Sequence, residues 1–340
     1  LAQNKDSILV VGSGVAGLSA SMSLARQGYN CILVEKAGSL GGHAAGYTCK
    51  AINGKCQKCG ACLVDDLLAR FGDFPEIQVF LETRIDRIER KKKGFTASLN
   101  GKGGLKDINC GAILLATGFK PFDPNEKPNL CFSSIPNMIT AVELEAMLRD
   151  KELPYRPSDG RQPDTIAFVQ CVGSRDPKRG HPYCSQVCCG YALRMAGRLR
   201  DLAPKTKITF FFMDIQTFGR SFSQRWASLQ QDFIWINEIP GDYFVSDGDR
   251  VGVSVEVEDE IVDLSFDMMV LSVGMTPTDD QLTYQQMLDL SMSSEGFMLP
   301  DEDRGVFVVG SASGPMSIEK SITDAAGSAT RVIAYMEGAR

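Results

Sequence analysis

Ile8-Leu9-Val10-Val11-Gly12-Ser13-Gly14-Val15-Ala16-Gly17 is the stretch on which the fold turns. Four consecutive apolar residues read as a strand, the glycine-rich turn follows at once, and Val15, Leu18, Met22 and Ala25 then repeat at helical spacing. A second apolar run, Cys31 to Val34, closes on Glu35-Lys36, with the carboxylate 23 positions beyond Gly12. Strand, turn, helix, strand and terminal acid form the pattern of a dinucleotide-binding fold. Gly12 permits the tight turn, Gly14 lets the backbone approach a pyrophosphate, and Gly17 allows helix and strand to pack closely. The helix N-terminus favours the anion, and Glu35 is placed for ribose hydroxyls.

Around this unit the chain has 340 residues, enough for two domains or for one interrupted by another. Its 44% apolar and 23% charged residues exclude disordered and fibrous classes, and a net charge of −6 offers no basic field for nucleic acid. Leu1 to Asp6 is polar and lacks the pattern of a secretory signal. Gly111 to Phe119 and Phe266 to Met275 fall short of the ~20 residues of a membrane-spanning helix. A cytoplasmic location with no membrane span is therefore expected. The unusual counts are 33 Gly and 11 Cys, and in a reducing compartment so many thiols point to metal binding or redox chemistry.

Further glycine signals follow in order: Gly41-Gly42-His43, an apolar strand from Ile113 closing on Ala116-Thr117-Gly118, and Val306 to Val309 leading into Gly310 and Gly314-Pro315 before a helix from about Ile318. This order resembles the flavoprotein disulfide reductase superfamily. The resemblance implies FAD and an α/β fold of two Rossmann-like, thioredoxin-reductase-like domains, with the FAD domain split around a central one. The expected boundaries are 1–158 and 276–340 for the FAD domain and 159–275 for the central domain. Candidate FAD contacts are Gly12, Gly14, Ala16, Gly17, Glu35, Lys36, Gly41, Gly42, His43, Ile85, Thr117, Gly118, Gly310 and Ile318.

The central domain opens with a strand, Ile166 to Val169, but its turn reads Gln170-Cys171-Val172-Gly173-Ser174-Arg175 and carries a single glycine. The pyrophosphate cradle of a nicotinamide site is missing. Cys171, Cys184, Cys188 and Cys189 fall within 19 residues instead. With Cys184 and Cys188 on a starting helix, their i, i+4 spacing places both on one face; Ala192, Met195, Leu199 and Leu202 continue that helix up to Pro204. A 4Fe-4S cluster needs four thiolates, and Arg175, Lys178, Arg179 and His181 are at hand to offset its charge. Zinc and buried apolar thiols are the competing readings, although adjacent Cys188-Cys189 suits a compact zinc tetrahedron poorly.

Val169 to Asp176, Tyr183 to Cys189 and Phe212-Met213-Asp214-Ile215, with the glycine motifs, Ile139-Thr140 and Phe119, closely resemble the A subunit of heterodisulfide reductase over nearly the whole chain. The resemblance implies that Cys171, Cys184, Cys188 and Cys189 hold an unusually spaced 4Fe-4S cluster beside FAD. The methanogen subunits carry additional ferredoxin-like segments for which 340 residues leave no room, which puts electron bifurcation in doubt. The size is similar to the short A-like subunits of heterodisulfide-reductase-like complexes of bacterial sulfur oxidation. Other subunits of such a complex, and a second copy in a homodimer, are the expected partners.

Cys49, Cys56, Cys59 and Cys62 form a second group, Cys-x6-Cys-x2-Cys-x2-Cys. Three readings stay open: a second cluster, a Cys59/Cys62 redox pair near the flavin with Lys55 and Lys58 close by, or a segment without ligands. The redox pair would serve a stand-alone NAD(P)H-dependent disulfide reductase, the alternative function; a zinc-bound FAD scaffold is a third. Cys31 and Cys110 read as core, Cys131 as isolated, and Arg90 to Lys93 as a solvated hairpin turn. His43 is a candidate flavin contact or a structural hydrogen-bonding residue. Trp226 and Trp235 read as core or interface, and 120–165 and 275–305, rich in Pro and Asp, as crossings between domains.

Overall fold

The computed structural model describes residues 7–151, 153–216, 226–227 and 229–338. The chain divides into two compact units, one built from 1–46, 60–120 and 277–340 and the other from 47–59 and 121–276.

In the first unit five strands form a parallel sheet: β1 (Ile8–Val11), β2 (Cys31–Val34), β3 (Ile77–Phe80), β7 (Ala112–Leu115) and β18 (Val306–Val308), in the order β18-β7-β1-β2-β3. Every residue of β1, β2, β7 and β18 is buried, which explains their unbroken apolar runs: both faces of a parallel sheet are covered. The helices of this unit are α1 (Val15–Ala25), α2 (Ala61–Phe71), α5 (Asp279–Leu288) and α6 (Ile318–Gly338). An antiparallel ribbon, β4 (Arg84–Arg90), β5 (Phe95–Gly101) and β6 (Gly104–Cys110), alternates along its length. Its inward residues Ile85, Ile88, Phe95, Ala97, Leu99 and Ile108 join Leu9, Val11 and Ile113 in one core. Lys91 to Gly94 makes the expected hairpin turn, and Cys31 and Cys110 are core thiols.

The second unit has its own parallel sheet: β9 (Met138–Thr140), β10 (Thr165–Val172), β11 (Lys207–Phe211), β12 (Ile234–Ile236) and β16 (Met268–Val273), in the order β12-β11-β10-β16-β9. It carries α3 (Ala141–Lys151), α4 (Cys188–Leu202) and an antiparallel ribbon of β13 (Asp242–Ser246), β14 (Arg250–Val257) and β15 (Glu260–Phe266). Ala192, Met195 and Leu199 of α4 are fully buried beside Phe168 and Phe210, and the helix stops at Leu202, just ahead of Pro204. Trp226 and Trp235 meet edge to face and pack on the same core. Short strands β8 (Phe119–Pro121) and β17 (Met275–Pro277) mark the two crossings.

Two expectations need correction. The first crossing lies at 120 and not at 158, because Met138–Thr140 pairs with β16 and so belongs to the second sheet. Residues 47–59 also belong to the second unit, where they lie along one face of α4. There Tyr191, Arg194, Gly197 and Asp201 recur at helical intervals. Arg194 donates to the carbonyls of Gln57 and Lys58, Asp201 accepts from the Asn53 N–H, and a Cβ on Gly197 would collide with Ile52.

A buried ion pair fastens the same segment. Lys50 Nζ lies 2.5 Å from Glu145 Oε1, both side chains only 2% exposed. Glu145 also accepts from the Thr48 N–H and hydroxyl and, through Oε2, from Tyr191 Oη at 2.6 Å. Burial, with the Glu145 charge next, pushes the Tyr47 hydroxyl up to about 12, so that it stays protonated. Removing one partner of such a pair leaves an unpaired buried charge. Lys50→Met should therefore destabilise the protein by ~3–5 kcal/mol in urea unfolding, and the paired change Lys50→Met with Glu145→Leu should recover much of it.

Candidate nucleotide and cysteine sites

The first site is built on the turn after β1. Gly12 has φ +98°, and a Cβ there would run into the Ala116 carbonyl; a Cβ on Gly17 would collide with the Gly12 carbonyl oxygen. Both glycines are thus required by packing within the protein. Gly14 is different: its φ is −66°, and a Cβ there would meet nothing. The open space at the N-cap of α1 suits a group that approaches the backbone closely, as a pyrophosphate does. Gly41 and Gly42 lie against this turn, through the Gly41 N–H to Ser13 O bond (2.9 Å) and a Gly14–Gly41 bridge.

Glu35, at the end of β2, is buried and aimed at the same turn. Its Oε2 accepts from the Ser13 N–H (2.8 Å) and hydroxyl (2.7 Å), and its Oε1 from the Ala37 N–H (2.8 Å). The Thr117 hydroxyl is buried without a hydrogen-bond partner among the described residues. Open space at Gly14 and an unmatched hydroxyl at Thr117 fit a bound FAD. Gly118 and Gly310 take positive φ, and a Cβ on Gly310 would press on Ala16 at 2.5 Å. Three candidates have protein-internal partners: Lys36 pairs with Asp280, Ile85 is in the core, and His43 Nε2 lies 3.0 Å from Phe119 O. Ile318 opens α6.

The second site lies in the second unit at the C-terminal end of β10, the end of a parallel sheet where ligands bind. The single glycine of its turn serves packing. Gly173 has φ +73°, and a Cβ there would run into the Phe122 ring. Beside it is a cavity of about 190 Å³ bordered by Gln170, Cys171, Arg175, Lys127 and Tyr243, below the ~300 Å³ at which pockets for larger ligands begin. The turn thus lacks the bare glycines of a pyrophosphate cradle, and the one it keeps is covered by Phe122.

What it does have is thiols. Cys171 sits in the left-handed region (φ +61°), Cys184 lies in the following loop, and Cys188 and Cys189 are buried in the first turn of α4. Helix α4 begins at Cys188, so Cys184 is not on it and the expected i, i+4 helical face is corrected. The Ser174–Ser185 hydroxyl contact (2.7 Å), the Ser185 Oγ bond from the Met275 N–H and the paired backbone bonds of Asp176 and His181 hold that loop. Cys184 Sγ accepts from the Gln186 N–H at 3.3 Å, with Gln186 at φ +62°.

Burial, with the nearby Cys189 sulfur next, pushes the Cys171 thiol up to about 12, opposed by Arg175. Burial and the neighbouring sulfurs push Cys188 upward as well, and burial raises Cys189. The four sulfurs therefore lie within electrostatic range of one another, and burial keeps Cys171, Cys188 and Cys189 protonated unless a cation offsets their charge. Arg175 is held at the site by Asp214, 2.5 Å away. Among the described residues no three His, Cys, Asp or Glu side chains are already drawn round a common metal point, here or at Cys49, Cys56, Cys59 and Cys62. As a donor set, four soft sulfurs beside a cation still fit an iron–sulfur cluster. Of the second group, Cys49, Cys56 and Cys59 lie in the 47–59 segment and Cys62 in the first turn of α2.

Nothing in the sequence flags Phe122, Lys50, Glu145 or Tyr191. The single glycine left at 173 is the only hint of Phe122. The buried pair joins residues far apart in the chain, with no motif around either.

Comparison with known proteins is consistent with this geometry. Residues 6–153 match the family model "Pyridine nucleotide-disulphide oxidoreductase". The second iron-sulfur A subunit of the CoB–CoM heterodisulfide reductase of Methanopyrus kandleri is 27% identical over 96% of this chain and 64% of its own length. The A subunit of the H2:CoB-CoM heterodisulfide,ferredoxin reductase of Methanothermobacter marburgensis is 34% identical over 66% of this chain and 37% of its own. The chain thus spans less than two thirds of these relatives. The first alignment runs to 421 residues, so that relative has internal segments without a counterpart here. Thioredoxin reductase of Lactococcus lactis superposes with a TM-score of 0.66 at 16% identity, covering 98% of this chain and 100% of that one. The enzyme of T. acidophilum gives 0.65 at 14%, covering 99% and 100%. No helix among the described residues is long and apolar enough to cross a membrane.

Gly14→Val separates ligand binding from folding. The new side chain has room in the protein itself, so circular dichroism should be unchanged, while the flavin recovered per chain should fall by roughly tenfold or more, as expected when close backbone approach to the pyrophosphate is blocked. The nucleotide turn and the match over 6–153 make this part of the chain similar to the pyridine nucleotide-disulphide oxidoreductase family, and the two Rossmann-like sheets are those of the thioredoxin-reductase fold.

Proposed function

We propose that this chain is an FAD- and 4Fe-4S-containing electron-transfer subunit, with Cys171, Cys184, Cys188 and Cys189 holding the cluster where a relative with two nucleotide sites would hold its nicotinamide. The observation that carries this reading is the end of β10: Phe122 fills the space over Gly173, and four neighbouring thiols stand beside it. When bound, FAD exchanges electrons singly or in pairs and the cluster passes single electrons.

The protein's own groups prepare both places. Gly12, Gly14 and Gly17 shape the turn for the pyrophosphate, Glu35 is fixed by Ser13 and Ala37 to meet the ribose, and Thr117 offers a spare hydroxyl. Arg175, held by Asp214, balances negative charge at the cysteines, and the Gln186 N–H donates to Cys184. Without a nicotinamide pocket, the electron donor and acceptor are protein partners: other subunits of a heterodisulfide-reductase-like complex, as the naming of the relatives as subunits suggests. The internal segments that the Methanopyrus relative has and this chain lacks favour a short-type subunit, with thiol and disulfide chemistry of cytoplasmic sulfur oxidation as its setting. A homodimer is the expected assembly.

The test is an absorption spectrum with iron, acid-labile sulfide and flavin counts on anaerobically purified protein. The wild type should carry about four iron per chain, the number in one 4Fe-4S cluster, together with flavin. Cys188→Ala should lose the iron and the broad visible absorption while keeping the flavin. Iron unchanged in that variant, or zinc in its place, would remove the cluster assignment, and rapid flavin bleaching by NADPH would return the stand-alone reductase.

A further inference from the structure

The cavity at the end of β10 has polar walls that the cysteine site does not use. It encloses about 190 Å³, and Lys127, Gln170, Cys171, Arg175, Asp176 and Tyr243 are on its border. Two of these side chains are deeply buried and short of a partner. Tyr243 is 5% exposed, and its hydroxyl makes no hydrogen bond among the described residues; burial holds its proton, so it stands as a donor. Gln170 is 1% exposed. Its Nε2 reaches Ser272 Oγ at 3.0 Å, while its Oε1 has no donor among the described residues. Buried polar groups are nearly always paired, so a donor and an acceptor left open around one cavity point to an occupant that meets both.

The charges on the border fix the sign of that occupant. Among the described residues, Lys127 Nζ uses one of its three N–H groups on Asp176 Oδ2 at 2.9 Å, and Arg175 uses one of its five on Asp214 Oδ1. Both cations thus keep donors to offer, and the carboxylate on the border, Asp176, is already tied to Lys127. Such a wall receives an anion that also carries one donor for Gln170. The volume corresponds to roughly six waters at about 30 Å³ each, and so to about six non-hydrogen atoms. The remaining wall is largely apolar, which suits a carbon skeleton.

We infer that this cavity binds a small hydroxycarboxylate, its carboxylate received by Lys127, Arg175 and the Tyr243 hydroxyl and its own hydroxyl donating to Gln170 Oε1. This goes beyond the proposed electron-transfer role and does not depend on it. Cys171 shares the border, so an occupied cavity sets a negative charge on the cysteine side of the unit.

The experiment titrates glycolate and each enantiomer of lactate, by calorimetry at constant ionic strength, into anaerobically purified protein that carries its flavin. Propionate keeps the lactate skeleton without the hydroxyl, and lactamide keeps the hydroxyl without the charge. At least one hydroxycarboxylate should bind saturably at one per chain. Propionate and lactamide should each bind about tenfold more weakly or worse, as expected when a buried polar group is left unpaired. Tyr243→Phe removes an unpartnered hydroxyl, so its urea midpoint should be no lower than that of the wild type while hydroxycarboxylate affinity falls about tenfold. Absence of saturable binding would overturn the inference and leave a cavity for water. So would propionate as tight as lactate, inorganic phosphate tighter than either, affinity unchanged in Tyr243→Phe, or a lowered midpoint in that variant. Iron counts on the same samples decide the cluster and binding heats decide the cavity, so the two readings fail separately.

Discussion

The contact between the Phe122 ring and Gly173 decides what the second unit can hold. A parallel strand that runs into a helix offers backbone N–H groups to an anion only if the turn between them is bare enough to be approached. Here an aromatic ring lies where a Cβ would be, so the remaining glycine is consumed by packing. The helix that would have pointed at a phosphate starts instead with two buried cysteines, and the strand ends with a third in a left-handed conformation. The unit thereby keeps the sheet and helix of its fold while the turn after β10 offers no bare backbone to an anion.

The two turns show how far a glycine pattern can be read. Gly12, Gly14, Gly17 and Glu35 are legible because each role is local: turn, approach, packing and terminal acid all follow within two strands and one helix. Gly173 by itself looks like a remnant of a phosphate turn, and only its distant neighbour Phe122 shows that it is a packing glycine. Spacing alone puts Cys184 onto α4. In the structure the chain is still held in a loop there by Ser174, Ser185 and Tyr183, and the helix begins four residues later.

The same distinction explains why the first boundary is legible only as the range 120–165 and not as a position. Met138–Thr140 is three residues long, too short for a periodicity to announce it, yet its pairing with β16 draws the chain from 121 onward into the second sheet. Segment 47–59 has no secondary-structure signal of its own. Its place is set by Ile52 against Gly197 and by Lys50 against Glu145, contacts between residues far apart in sequence. The cysteine pattern groups four thiols in the middle of the chain, and the structure keeps those four sulfurs within electrostatic range of one another. The pattern does not reveal that Cys56 has a backbone donor, because that depends on the conformation of Lys58.

The discontinuity of both units bears on the order in which the protein can form on the ribosome. The first sheet lacks its edge strand β18 until Val308 has been made, so the nucleotide turn precedes by far the completion of its sheet. The second unit needs nothing after Thr276, and the ion pair of Lys50 gives it a means of collecting a segment synthesised long before its sheet. Domains generally fold as units during synthesis. In this chain the inner unit is accordingly poised to fold first and the outer one last, leaving flavin uptake as a closing event of biogenesis.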